Sequence, residues 1–393
     1  MTTATDIHGL CKPGYERVRE AFARNFEEHE EVGAALSLVV DGETVVDLWG
    51  GHADGARSRP WEEDTIVNTF STTKGITTIC ALRLIEQGKL DVDAPVARYW
   101  PEFAAAGKED ITVRHLMSHQ AGLPGIDSMI PVEKAHEWEP LAEALAAQKP
   151  YWEPGSRFGY HAVTFGSLVG EVIRRVSGKS VGTFWREEFA EPLGLDFHIG
   201  FGEELDERCA TMIPAPLPDL SKLDHPLVKA LLDPSSLTFK AFMITPLMMV
   251  NPLYMNTRDW RAAEVPAANG HGTARALARL YGALATGGTL NGIQVLKPET
   301  IEMATQTQSQ GQDAVLLFPT RFGLGFILDI PEFQISPNGT TFGHFGMGGS
   351  FGIADPEAKF GVGYVMNKMM IPNPETRDDP RLRGMFAAIY ESV

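Results

Sequence analysis

Phe70-Ser71-Thr72-Thr73-Lys74-Gly75 opens an almost wholly apolar segment, Ile76 to Leu84, and the reading of this stretch decides the rest of the chain. Ser71 and Lys74 stand three residues apart, which on an α-helix stacks two side chains on one face about a turn apart. Asn68 and Thr69 are good capping residues and Gly88 a good stop, so the pattern predicts a buried helix with Ser71 in its first turn. Free backbone N–H groups and the positive end of the helix dipole favour developing negative charge there. A serine hydroxyl beside a partly desolvated lysine supplies a nucleophile and its base. The S-x-x-K spacing occurs once here, about as often as composition alone would give it. Taken alone, it is also what a capped core helix would show.

The chain around it has 393 residues, 44% hydrophobic and 22% charged, enough for one large domain or two interleaved ones. A formal net charge of −17 argues against nucleic acid as a partner, and no basic run suggests an anionic membrane. No signal peptide and no apolar stretch of membrane-spanning length is visible. Three scattered cysteines, Cys11, Cys80 and Cys209, suit a reducing compartment without disulfides. The expectation is a soluble, cytoplasmic protein.

Outward from Ser71, Tyr15–His29 has the spacing of an amphipathic helix. Val32–Val40 and Thr44–Leu48 read as a hairpin about Asp41-Gly42, with a short strand at Thr65–Thr69. Helical patterns then dominate, at Glu137–Gln148, Val163–Val176, Val181–Phe189 and Thr273–Thr286. Pro214–Trp260 is rich in Pro, Met, Leu and Phe with little periodicity, either irregular packing or a pocket wall for an apolar substrate. Strand-like pieces return at Phe322–Asp329, Thr341–Phe345, Ser350–Ala354 and Gly361–Met366, and Pro380–Tyr390 closes the chain as a helix. The fold expected is α/β in the α+β sense, an antiparallel sheet flanked by helices and built from both chain ends (1–98 and 320–393). A mostly helical domain (99–319) is inserted, with 214–260 lining the pocket.

Four further features carry candidate chemistry. Tyr160, after Pro154-Gly155, is either a half-buried loop aromatic or a phenol whose pKa a neighbouring lysine lowers, making it a general base. His344-Phe345-Gly346-Met347-Gly348-Gly349-Ser350 is either a bulged edge strand or a segment whose N–H, with that of Ser71, forms an oxyanion hole. Gly348-Gly349-Ser350-Phe351-Gly352 spells G-x-S-x-G, but strand follows instead of helix and no later histidine exists, so the match is accidental. His115 and His119 are four apart, yet Leu116 stands where a zinc protease needs glutamate; a structural role is expected and no metal site.

Together these residues resemble the serine β-lactamase and penicillin-binding-protein superfamily, closest to class C β-lactamases and family VIII carboxylesterases. The pieces are Ser71-Thr72-Thr73-Lys74, Ile111 through Pro124, Glu153-Pro154-Gly155 through Tyr160, Pro192-Leu193-Gly194-Leu195, and His344-Phe345-Gly346, spanning Gly33 to Met366. The resemblance implies a class C β-lactamase-like fold with the site between its two parts. It implies Ser71 as acylated nucleophile, Lys74 and Tyr160 as the base pair, and the N–H groups of Ser71 and Met347 as oxyanion hole. His161, His344, Phe345 and Gly346 would face the substrate, and no cofactor is called for.

Two departures narrow the substrate. Tyr160-His161-Ala162 replaces the family's Y-x-N, and His344-Phe345-Gly346 replaces its K-T-G, removing a fixed positive charge for a substrate carboxylate. Such changes are common among family VIII esterases, so the expectation is a carboxylesterase acting on short- to medium-chain acyl esters. A D-amino-acid peptidase or amidase, an acyltransferase or a weak β-lactamase would use the same site, with a protonated His344 holding the carboxylate. A catalytically dead binding protein on this fold would lack an essential residue, and none is missing. Oligomeric state is not legible.

Overall fold

The computed structural model describes residues 5–215, 225–332, 334–371 and 379–393. Its centre is a nine-stranded antiparallel sheet. The spatial order is Ile7–Cys11, Glu43–Gly51, Gly33–Val40, Phe360–Met366, Phe351–Asp355, Phe342–Phe345, Ile327–Leu328, Pro319–Phe322 and Ser309–Gln312. The hairpin turns at Asp41 (φ 48°) and Gly42 (φ 80°), two left-handed positions in a row as a twist-matched two-residue turn demands. The two chain ends meet in the middle of the sheet, where Val40 pairs with Phe360 and Ala34 with Met366.

Helices cover both faces. The helix Ala274–Ala285 lies on Gly33–Val40 and Phe360–Met366. It comes so close that a Cβ on Gly361 would stand 1.8 Å from the Gly282 nitrogen, so glycine is required at the crossing. On the other face Glu16–Glu28 packs against Pro380–Tyr390, whose Phe386 and Tyr390 rings meet Phe351 and Phe360. The Ser71 helix, Thr73–Glu86, bridges the sheet and the helical part, touching Phe342–Phe345 on one side and Thr164–Ser177 and Val181–Trp185 on the other.

The fold class expected from sequence holds, with local corrections. Two elements inside the span read as mostly helical, Ala274–Ala285 and the strand Ser309–Gln312, belong to the sheet layer. Phe322–Asp329 is a tight hairpin, Phe322 pairing with Ile327, because the N–H groups of Leu324 and Gly325 donate to Ala304 O and Met117 O instead of continuing the ladder. A second, three-stranded sheet pairs Gly270–Gly272 with Val67–Asn68 and Phe197–Ile199. Of the expected pocket wall Pro214–Trp260, residues 216–224 lie outside the described residues. The rest contains short helices Pro226–Leu232, Leu237–Phe242 and Leu247–Val250.

Candidate active site

Ser71 does not sit in the first helical turn. The helix begins at Thr73, and Ser71 projects from the turn before it. The expected caps do other work: Asn68 Oδ1 accepts from Trp260 Nε1 at 3.1 Å, and Thr69 Oγ1 donates to Gly270 O at 3.0 Å. Phe70, buried at 2% exposure, holds φ 45°, a left-handed conformation costing on the order of 1–3 kcal/mol in a non-glycine residue. Thr73 maintains it by donating its hydroxyl to Phe70 O while accepting from Gly270 N at 2.8 Å. The strained turn places Ser71 half-exposed at the mouth of the helix.

Lys74 is fully buried, and its Nζ lies 2.9 Å from Ser71 Oγ and 2.9 Å from Ala267 O. Among the described residues no carboxylate bonds it, and burial holds its pKa well below that of a free lysine. The amine form is thereby favoured, and its lone pair can take the Ser71 proton across the same 2.9 Å contact. Tyr160 completes the group. Its hydroxyl is hydrogen-bonded to Ser71 and its ring passes 4.8 Å from Lys74 Nζ. The expected lowering of its pKa is reversed: burial raises it, the Ser71 contact opposing and the Asp313 charge adding to the rise. Burial is the largest of these influences, so Tyr160 stays a phenol.

Tyr160 is anchored by a residue that sequence reading missed. Asp313, fully buried, accepts from Tyr160 N at 3.0 and 3.1 Å, from Val315 N at 2.8 Å and from Leu316 N at 2.9 Å, with Thr320 Oγ1 at 3.2 Å. The Tyr160 ring stacks on Phe322 (6.1 Å, 10°) in a small apolar cluster that Leu237, Ala241 and Phe242 of the 214–260 segment help to close.

Opposite lies the turn after Phe342–Phe345. A Cβ on Gly346 would stand 2.1 Å from Thr69 O and 3.0 Å from Thr72 Oγ1, so this backbone rests directly on the Ser71 turn. Ser350, the serine of the accidental G-x-S-x-G, is fully buried and fastens the contact, donating to Thr69 O at 2.8 Å with Thr72 Oγ1 at 3.2 Å. The backbone N–H groups of Ser71 and Met347 bond nothing among the described residues. A half-buried serine hydroxyl beside a buried amine, a phenol and two free N–H groups are together the groups that acyl transfer can use.

A family model described as beta-lactamase matches residues 18–384. The chain belongs to the beta-lactamase family. It is 37% identical over 390 residues to the esterase/beta-lactamase LipL of Mycobacterium tuberculosis, covering 98% of this chain and 89% of LipL. Among solved structures, a family VIII carboxylesterase is 43% identical with TM-score 0.88, covering 99% of this chain and 100% of that one. A penicillin-binding-protein homologue from Caulobacter crescentus is 40% identical with the same TM-score and coverage.

The remaining site residues of this beta-lactamase-family chain divide. His344 is 1% exposed, with Nδ1 2.7 Å from Phe345 O. That carbonyl can only accept, so Nδ1 carries the proton and Nε2, unpartnered among the described residues, keeps its lone pair. Burial first, then Lys74, drives its pKa down to about 3, so it offers no cation to a carboxylate near neutral pH. Phe345 is half-buried at the strand end. His161 has both ring nitrogens engaged: its Nδ1 meets Gly159 O at 2.7 Å, its Nε2 accepts from Leu123 N at 3.1 Å, and no part of it is exposed. His115 caps its own short helix with Thr112, and His119 accepts from His161 N at 3.1 Å while packing on Tyr160 and Phe322. Among the described residues no group of side chains is arranged to hold a metal ion.

Proposed function

We propose that the protein is a serine carboxylesterase that cleaves uncharged short- to medium-chain acyl esters through an acyl-enzyme on Ser71. The observation that carries this reading is the buried Lys74 amine 2.9 Å from Ser71 Oγ in a site where His344 supplies no positive charge. Relatives named as esterases, LipL and the EstB of Burkholderia gladioli, which is 31% identical over 212 residues, support it.

In the sequence we propose, Ser71 Oγ attacks the ester carbonyl carbon as its proton passes to Lys74 Nζ. The N–H groups of Ser71 and Met347 receive the oxyanion. Collapse breaks the acyl carbon–alkoxide bond. Tyr160 donates its phenolic proton to the departing alkoxide and is reprotonated by the Lys74 ammonium. Water then repeats the attack on the acyl-enzyme, with Lys74 taking its proton and Ser71 regaining one as the acid leaves. No cofactor enters. Three unpaired thiols among the described residues fit a reducing compartment, and we propose a cytoplasmic setting on that basis. No helix of the described residues is long and apolar enough to cross a membrane.

The test is side-by-side turnover of p-nitrophenyl acetate, p-nitrophenyl octanoate and nitrocefin by the wild type and Ser71→Ala. Ester cleavage lost in Ser71→Ala, with feeble nitrocefin cleavage, is the expected result. Efficient nitrocefin turnover would place the β-lactamase reading first, and full esterase activity in Ser71→Ala would end the proposal.

A further inference from the structure

The Gly346–Ser350 turn is gripped from behind by a residue far from any substrate. Gly346 N donates to Ser350 O at 2.7 Å and Gly349 N to Gly346 O at 3.1 Å, closing the turn on itself. Ser350 fastens its near side to the Ser71 turn. On its far side Arg381, 1% exposed, donates Nη2 to Gly348 O at 2.6 Å, a carbonyl that also receives Met370 N at 3.1 Å. The fit is tight: a Cβ on Gly349 would stand 2.4 Å from Arg381 Nη2.

The guanidinium is itself fixed on every side. Nε and Nη2 meet the two oxygens of Asp379 at 3.1 and 2.8 Å, and Nη1 meets Glu31 Oε2 at 3.0 Å and Lys368 O at 3.1 Å. Tyr364 donates its hydroxyl to the same Glu31 oxygen. A buried ion cluster of this kind adds little net stability over apolar packing, because desolvating its charges offsets their attraction. What it does supply is a fixed position for each hydrogen-bonded group.

We infer that Arg381 is a positioning residue for the oxyanion hole, holding the Gly348 carbonyl so that the N–H of Met347, one residue earlier in the same turn, stays free to receive an oxyanion at Ser71. The inference rests on the acyl-transfer reading of Ser71 above. A guanidinium suits the task because one planar group reaches Gly348 O, Lys368 O and two carboxylates at once. Lysine, with one nitrogen, cannot bridge them all.

The experiment compares wild type, Arg381→Lys, Arg381→Met and Asp379→Asn. For each, kcat and KM for p-nitrophenyl acetate are measured per active site titrated with a phosphonate ester, with the affinity for phenylboronic acid and Tm. A displaced oxyanion donor predicts kcat lower by about 10- to 100-fold in Arg381→Met, since removing one donor outright costs about 100- to 1,000-fold. KM should stay within about 2-fold, and boronate affinity, which reads the tetrahedral geometry, should fall in step with kcat. Arg381→Lys should recover part of both, and Asp379→Asn, which frees one side of the guanidinium, should show a smaller loss of the same kind. Folded variants with wild-type kcat and boronate affinity, differing only in Tm, overturn the inference. Should Arg381→Met not fold, Arg381→Lys and Asp379→Asn decide by the same criterion. Failure of the acyl-transfer reading would look different, as activity surviving in Ser71→Ala.

Discussion

The two walls of the site are braced by opposite charges. On the Tyr160 wall a buried carboxylate, Asp313, gathers backbone N–H groups; on the oxyanion wall a buried guanidinium, Arg381, gathers backbone carbonyls. The difference follows from which atom each wall must leave free. In the proposed reaction Tyr160 works through its side chain, so its backbone N–H can be consumed as an anchor. In that reaction the oxyanion wall works through backbone N–H groups, so it is held by its carbonyls, and only a donor can do that. Each wall is clamped through backbone atoms that the proposed chemistry does not use.

The comparison breaks first at the group both walls share. Lys74→Met fills the buried space without a base, and kcat should fall by about 1,000-fold or more, with Tm little changed. A loss under 10-fold in stopped-flow ester turnover would remove Lys74 from the proposed role. Tyr160→Phe keeps the ring stacked on Phe322 and loses only the hydroxyl at Ser71, so kcat should drop by about 100-fold without loss of stability. Ser350→Ala loosens the oxyanion wall at its other attachment. The expected cost is about 10-fold in kcat, at nearly constant KM, smaller than losing a donor outright.

Asp313→Asn tests the opposite wall through stability. An amide puts an NH₂ where one carboxylate oxygen accepted N–H bonds, and the urea midpoint should fall by the equivalent of about 2–3 kcal/mol. Stability also carries an acid limb. His161 and His344 ionise at about 4 and about 3 in the folded chain, well below the ordinary 6.5, because burial disfavours their charged forms. Between those values and 6.5 the unfolded chain binds protons that the native chain does not, so stability rises with pH across that window. Each histidine contributes up to about 1.4 kcal/mol per pH unit. Urea midpoints unchanged from pH 6.5 to pH 4 would contradict the buried, neutral assignment of both rings.

Much of this was legible in the residues, and the exceptions share a cause. The Ser71–Lys74 spacing, the Asp41-Gly42 turn and the terminal helix Pro380–Tyr390 are local signals, and the structure keeps each of them. Ile7–Cys11 escaped because it is a largely exposed edge strand with little apolar alternation. Asp313 gave no sign because its partners include Tyr160, 153 positions away, and only folding brings them together. Arg381 follows Asp379-Pro380 and reads as an ordinary helix start; its bond to Gly348 is a property of packing. The pKa of Tyr160 and the orientation of His161 turn on burial, which a one-dimensional pattern does not rank against charge.

The sheet joins Val40 to Phe360, so its central seam closes only once the chain has been made as far as Met366. During synthesis the nucleophile leaves the ribosome long before the oxyanion loop and Arg381, and the growing chain carries Ser71 without the means to stabilise a tetrahedral adduct. Contacts of such long range also make folding slow. Hydrolytic activity should therefore emerge late and abruptly after translation, and a nascent chain arrested before residue 342 should be inert toward esters.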